Sequence, residues 1–196
     1  MSLVGFLFLK TRVLGLPIPF HRNSEEVNLR FYVRRQVGDG WRRGVVFLKE
    51  IVPRSAIAWT ARTLYNENYS TLPMSHQLEA GAGGTQLTKY SWRTENGGCS
   101  LDTTTRGEPR PLEPNSEAEF ILEHYWGYTR QRDGSTLEYQ VEHAPWQTRQ
   151  VIQHQLQGDF KSTYGETFGD ILRSSPMSVL YTEGSPIIVR RGVRLP

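Results

Sequence analysis

The stretch Val45–Pro53, VVFLKEIVP, holds the side chains best placed for chemistry. On a strand, Val45, Phe47, Lys49 and Ile51 point one way, and Val46, Leu48, Glu50 and Val52 the other. Each face is then apolar but for one charge, and charges are rarely buried without a partner. On one reading, Lys49 or Glu50 lines a cavity with a shifted pKa. A desolvated lysine becomes a Schiff-base amine near neutral pH. The plainer alternative is that the strand end emerges into water, or that each charge pairs with an arginine.

A second set lies on the segment Glu26–Arg35, which alternates cleanly. Val27, Leu29, Phe31 and Val33 share one face; Asn28, Arg30, Tyr32 and Arg34 share the other. As a cavity wall, the polar face suits a carboxylate or another anion, because guanidinium groups bind planar anions in a bidentate fork. As a solvated sheet face it carries no function. Two histidines are acid–base candidates: His21, in a loop after Pro17 and Pro19, and His143, at a strand end before Ala144-Pro145-Trp146. Glu25 and Glu26 lie close enough in sequence to neutralise Arg22. Trp41 with Arg34, Arg35, Arg42 and Arg43 forms a basic, aromatic hairpin tip, for which a solvated turn is favoured over a nucleic-acid contact.

Several chemistries lack their signature. There is no phosphate-binding G-x-x-x-x-G-K-[ST] loop, no strand-linked G-x-G-x-x-G, no H-E-x-x-H and no G-x-S-x-G elbow. The five histidines are scattered, so no metal site and no cofactor is expected. Cys99 is the single cysteine, which leaves no intrachain disulfide and leans towards a cytoplasmic protein.

The elements that must position these residues read as mainly β. Leu3–Leu14 forms a buried strand. Glu26–Arg35 and Gly44–Val52 form a hairpin across Gly38-Asp39-Gly40. A helix follows over Ser55–Asn66, where Ile57, Ala61, Leu64 and Tyr65 share one side. Gln86–Arg93 and Ser100–Arg106 flank the turn Asn96-Gly97-Gly98. Gly107–Pro114 is a loop. Ser116 and Glu119 make a capping box for a helix to about His124. Tyr128–Arg132 and Thr136–His143 form another hairpin. Gln147–Gln157 fits helix or strand equally, Phe160–Leu172 holds a helical turn, and Ser178–Thr182 and Ile187–Val193 are final strands.

At 196 residues one domain is expected. Basic and acidic residues nearly balance, at 23 against 20, so the chain lacks the charge excess of a nucleic-acid binder. Nineteen of the basic residues are arginines; the lysines are Lys10, Lys49, Lys89 and Lys161. The apolar start, Met1–Leu9, is too short for a membrane span and lacks the features of a signal peptide.

The runs Ser2–Phe6, Thr11-Arg12, Pro17–Arg22, Glu26–Val33 and Lys49–Arg54, with Tyr65-x-Glu67-x-Tyr69 and Ala144-Pro145-Trp146, resemble the YqjF-like family of uncharacterised bacterial proteins. The resemblance covers nearly the whole chain and names no activity. It implies the acetoacetate decarboxylase fold, a cone-like antiparallel β-barrel with two or three short helices and a central cavity. It also implies a chain that starts after the family's first helix and strand, exposing an edge open to a second subunit. The decarboxylases carry their Schiff-base lysine just after a helix like Ser55–Asn66. Here that region reads Asn66-Glu67-Asn68-Tyr69-Ser70, and the amine is missing. The expected function is therefore binding of a small, anionic organic ligand without Schiff-base decarboxylation, with Arg30, Tyr32, Arg34, Arg62 and Tyr69 on the wall. The alternative is a lyase or hydrolase using Lys49 or Glu50 with His21 or His143.

Overall fold

A computed structural model describes residues 1–9, 12–13, 16–17 and 23–195. Its elements in chain order are β1 (Ser2–Phe8), β2 (Arg12–Val13), β3 (Leu16–Pro17), β4 (Ser24–Val37), β5 (Gly40–Val52), α1 (Ser55–Leu64), β6 (Tyr69–Thr71), β7 (Met74–Ala80), β8 (Thr85–Thr94) and β9 (Gly97–Pro111). There follow α2 (Glu117–Leu122), β10 (Trp126–Arg130), β11 (Thr136–Glu142), β12 (Gln147–Gln157), α3 (Phe160–Tyr164), α4 (Glu166–Leu172), β13 (Tyr181–Thr182), β14 (Ile188–Val189) and β15 (Val193–Leu195). The fold is mainly β, largely antiparallel, with short helices, as expected. No helix among the described residues is long and apolar enough to cross a membrane.

The chain falls into two compact units. The first comprises Met1–Thr71, Glu113–Pro145 and Ser185–Pro196; the second comprises Leu72–Leu112 and Trp146–Gly184.

In the first unit, β1, β4, β5, β10, β11 and β14 form a sheet in that order; β15 pairs with β11 and β6 with β5. The β5–β6 and β5–β10 pairings are parallel. Alternation along β4 and β5 sets two faces. Val27, Leu29 and Ile51 are wholly buried on one, and each such aliphatic side chain contributes about 1.5–3 kcal/mol. Glu26, Asn28 and Glu50 lie on the other and are equally buried. A bulge at Leu48 breaks the strict alternation expected of Val45–Pro53: Leu29 faces Lys49, but the next residue, Arg30, faces Phe47. Lys49 therefore shares the apolar face with Leu29, whereas Phe47 joins the polar one.

In the second unit the sheet runs β13-β12-β9-β8-β7. Trp92, Tyr90, Cys99, Phe160 and Tyr164 are buried there, with Trp92 and Phe160 ring centroids 6.2 Å apart. Burial pushes the Cys99 thiol up, away from the reactive thiolate. The segment expected as a loop, Gly107–Pro114, is strand as far as Pro111. Beyond Arg106, β9 has lost β8 and pairs with β12 alone, and an edge tolerates proline. The undecided stretch Gln147–Gln157 is strand β12.

Candidate functional site

Three glutamates meet in the interior of the first unit. Glu26 comes from β4, Glu50 from β5 and Glu67 from the link between α1 and β6, and they are 1%, 3% and 6% exposed. Register explains the first two: Asn28 faces Glu50, Glu50 faces Tyr69, and Glu26 lies two residues along the same face.

Glu67 arrives by a different device. Asn66 adopts φ +57 at the end of α1, a left-handed conformation that asparagine tolerates better than most residues. The reversed chain closes through a Glu67 N–H bond to the Ala61 carbonyl, and Asn66 Nδ2 donates to the Arg130 carbonyl at 2.8 Å. Asn68 Nδ2 donates to the Leu48 carbonyl at 2.7 Å, and Arg62 donates through Nε to the Tyr69 carbonyl at 2.8 Å. Asn66→Ala should lower stability by about 1–2 kcal/mol and Asn66→Gly by less, as measured by urea unfolding.

The carboxyls are held by neutral donors. Tyr69 Oη donates to Glu26 at 2.8 Å and Asn28 Nδ2 at 3.1 Å. Tyr139 Oη donates to Glu67 at 2.7 Å, and Thr129 Oγ1 donates to the same oxygen. Among the described residues, Glu50 Oε2 and Asn28 Oδ1 are buried without a hydrogen-bond partner. Burial pushes Glu26 up to about 7, opposed by the Asn28 and Tyr69 hydrogen bonds and assisted by Glu67. Glu67 also rises to about 7, again through burial, against the bonds from Thr129 and Tyr139. Glu50 rises well above the usual carboxylate range through burial, then through the charges of Glu26 and Glu67. Glu26 and Glu67 therefore bind and release protons near neutral pH, the range that suits a general acid or base, and Glu50 holds its proton well above the usual carboxylate range. Among the described residues no group of three acidic, histidine or cysteine side chains is arranged to hold a metal ion.

A second cluster sits further along the same face of β4. His124, 8% exposed, stacks on Tyr32 at 4.9 Å and meets Phe120 edge-on at 5.7 Å. Burial, then the charge of Arg30, lowers its pKa to about 4, so the ring is neutral at pH 7. Arg30 Nη2 donates to the Ile121 carbonyl at 3.0 Å, while its Nε is buried with no partner among the described residues. Tyr32 shares a 2.6 Å hydrogen bond with Ser2.

Of the residues singled out from sequence, Glu50 and Tyr69 belong to the carboxyl cluster, with Arg30 acting on Glu26 by charge. Arg30 and Tyr32 border His124. Arg62 is exposed and positions Tyr69 through its carbonyl. Lys49 is on the other face of β5. His143 stacks on Tyr125 at 4.6 Å. His21 lies outside the described residues. At the hairpin tip, Arg34 is exposed and stacks on Trp41 at 4.5 Å, Arg35 and Arg42 converge on buried Glu138, and Arg42 covers Trp126 at 3.8 Å. Sequence reasoning missed Glu26, Glu67, Thr129, Tyr139 and His124. Glu26 was within reach, since it stands in phase with Asn28 and Arg30.

A family model described as an uncharacterized conserved protein, DUF2071, matches residues 1–186. No curated protein matches the chain. Among solved structures, an acetoacetate decarboxylase-like enzyme from Sphingomonas wittichii RW1 is similar at 10% identity and a TM-score of 0.45, over 88% of this chain and 67% of that one.

Proposed function

The chain belongs to the DUF2071 family of uncharacterised conserved proteins, and from that premise we propose that the polar interior of its first unit binds a small organic molecule and exchanges a proton with it near neutral pH. The observation that carries this reading is the buried trio Glu26, Glu50 and Glu67. Its hydrogen bonds come from hydroxyl and amide donors, and one oxygen of Glu50 has none. Such a cluster is a poor structural device. Uncompensated carboxyls in a core destabilise it, and apolar residues of similar volume would pack at less expense. Glu50 is the group assigned to proton exchange.

Schiff-base chemistry has no part in this reading, because Lys49 stands on the opposite face of β5. Anion binding has one observation in its favour, the buried and unpartnered Nε of Arg30. Against it stand three acidic groups on the same face.

Infrared difference spectra across pH 5–8 test the proposal. Protonated carboxyl bands should disappear through the neutral range, and one should be absent in Glu50→Gln. A small-molecule library screened by thermal shift should yield ligands whose effect depends on pH and weakens in Glu50→Gln. Carboxyls that have all ionised by pH 5, or hits indifferent to Glu50, would defeat the reading.

A further inference from the structure

We infer that the ligand taken by this interior is a small protonated amine, held by Glu26, Glu50 and Glu67 together with the amide oxygen of Asn28. The inference rests on the reading of that interior as a ligand site and adds the ligand's chemical class.

On the polar face the hydroxyls of Tyr69, Tyr139 and Thr129 and the amide N–H of Asn28 are already committed to Glu26 and Glu67. Among the described residues the other bare buried atoms on that face of β4 are the Ser24 hydroxyl and Arg30 Nε, and two acceptors remain, Glu50 Oε2 and Asn28 Oδ1, on residues 3% and 1% exposed. They belong to cross-strand neighbours, since Asn28 faces Glu50 in the register of β4 and β5. Asn28 is not acidic, so its bare oxygen is independent of the carboxyl cluster, and its other amide atom already holds Glu26 at 3.1 Å. Buried acceptors of this kind are strongly disfavoured unless a donor reaches them. An ammonium group brings three donors and no acceptor; a carboxylate brings acceptors alone.

Charge points the same way. The groups bearing on the site are Glu26 and Arg30 from β4, Glu50 from β5, Glu67 after α1, Tyr69 from β6 and Tyr139 from β11. Arg30 is the cation among these described residues; its Nη2 is bonded to the Ile121 carbonyl and its Nε is bare. A bound ammonium ion supplies the missing positive charge and lets the carboxyls ionise.

This fixes the direction of proton flow. A cation lowers the carboxyl pKa values on binding and releases protons; an anion raises them and takes protons up. Methylammonium chloride, sodium acetate and acetamide, at equal tens-of-millimolar concentration and constant ionic strength, serve as probes at pH 7. Thermal melting and proton release in weakly buffered solution are read together. Methylammonium should raise the Tm and release about one proton per site. Its apparent affinity should fall by about tenfold or more in Glu50→Gln and also weaken in Asn28→Leu. Stabilisation by acetate with proton uptake would overturn the amine while leaving the ligand site standing. Silence from all three probes would also overturn it, and the infrared titration would still decide the acid–base reading on its own.

Discussion

Glu50→Gln raises the melting temperature at pH 8 by roughly 5–10 °C and leaves it nearly unchanged at pH 5. Glu50 is 3% exposed and has one oxygen without a hydrogen bond. In the unfolded chain it ionises like any glutamate. In the folded chain, burial and the charges of Glu26 and Glu67 hold its pKa well above that. The folded state therefore binds more protons than the unfolded state, and stability falls as pH rises above the unfolded value. Glu26 and Glu67, both raised from 4.5 to about 7, act in the same direction. The wild-type protein should be most stable near pH 5 and lose stability up to about pH 7 from these two groups, with Glu50 extending the loss higher. Glutamine keeps the shape and removes the ionisation, so the variant's pH profile is flatter. Calorimetric melting at closely spaced pH values provides the measurement. A variant less stable than wild type at pH 8 would mean that an ionised Glu50 is satisfied in the fold, and the unpartnered oxygen would lose its meaning.

How much of this site the sequence could announce depends on how each group is brought in. Period-two alternation over Glu26–Val33 separates the two faces of β4, and from it Asn28, Arg30 and Tyr32 were legible as one wall. Glu26 follows the same count, but its neighbour Glu25 and the nearby Arg22 offer it a surface role. Glu67 follows no strand period at all. It enters because Asn66 turns left-handed, and a single asparagine after a helix does not say where the next side chain will go. Tyr139 reaches Glu67 only through the pairing of β10 with both β5 and β11, a long-range arrangement that local pattern does not encode. Strand β12 was ambiguous for a visible reason: its pairing with β9 slips twice, between Thr148 and Gln150 and between Val151 and Gln153, so the alternation that marks a strand is broken.

The reach of Tyr139 hangs on a missing side chain. Gly127 on β10 faces Tyr139 on β11, and a Cβ at Gly127 would come within 2.2 Å of the phenol Cζ and 2.5 Å of the hydroxyl oxygen. The ring must lie flat across the glycine for its hydroxyl to reach Glu67 at 2.7 Å. Gly127→Ala therefore displaces a ring that is 6% exposed and strips a donor from a buried carboxyl, at a cost of about 2–4 kcal/mol in urea unfolding. Tyr139→Ala alone is costly too, because it empties an aromatic-sized space. The two losses should not add. With the ring gone, the alanine at 127 meets nothing, and the double variant should be about as stable as Tyr139→Ala, giving a coupling as large as the cost of Gly127→Ala itself, about 2–4 kcal/mol. The infrared titration supplies a second readout: with Tyr139 displaced, Glu67 loses a bond that lowers its pKa, and its protonated band should persist to higher pH than in wild type. Simple additivity, or a Glu67 band that does not move, would show that Tyr139 does not hold the carboxyl. The cluster would then stand on Thr129, Tyr69 and Asn28 alone, with Glu67 held by Thr129.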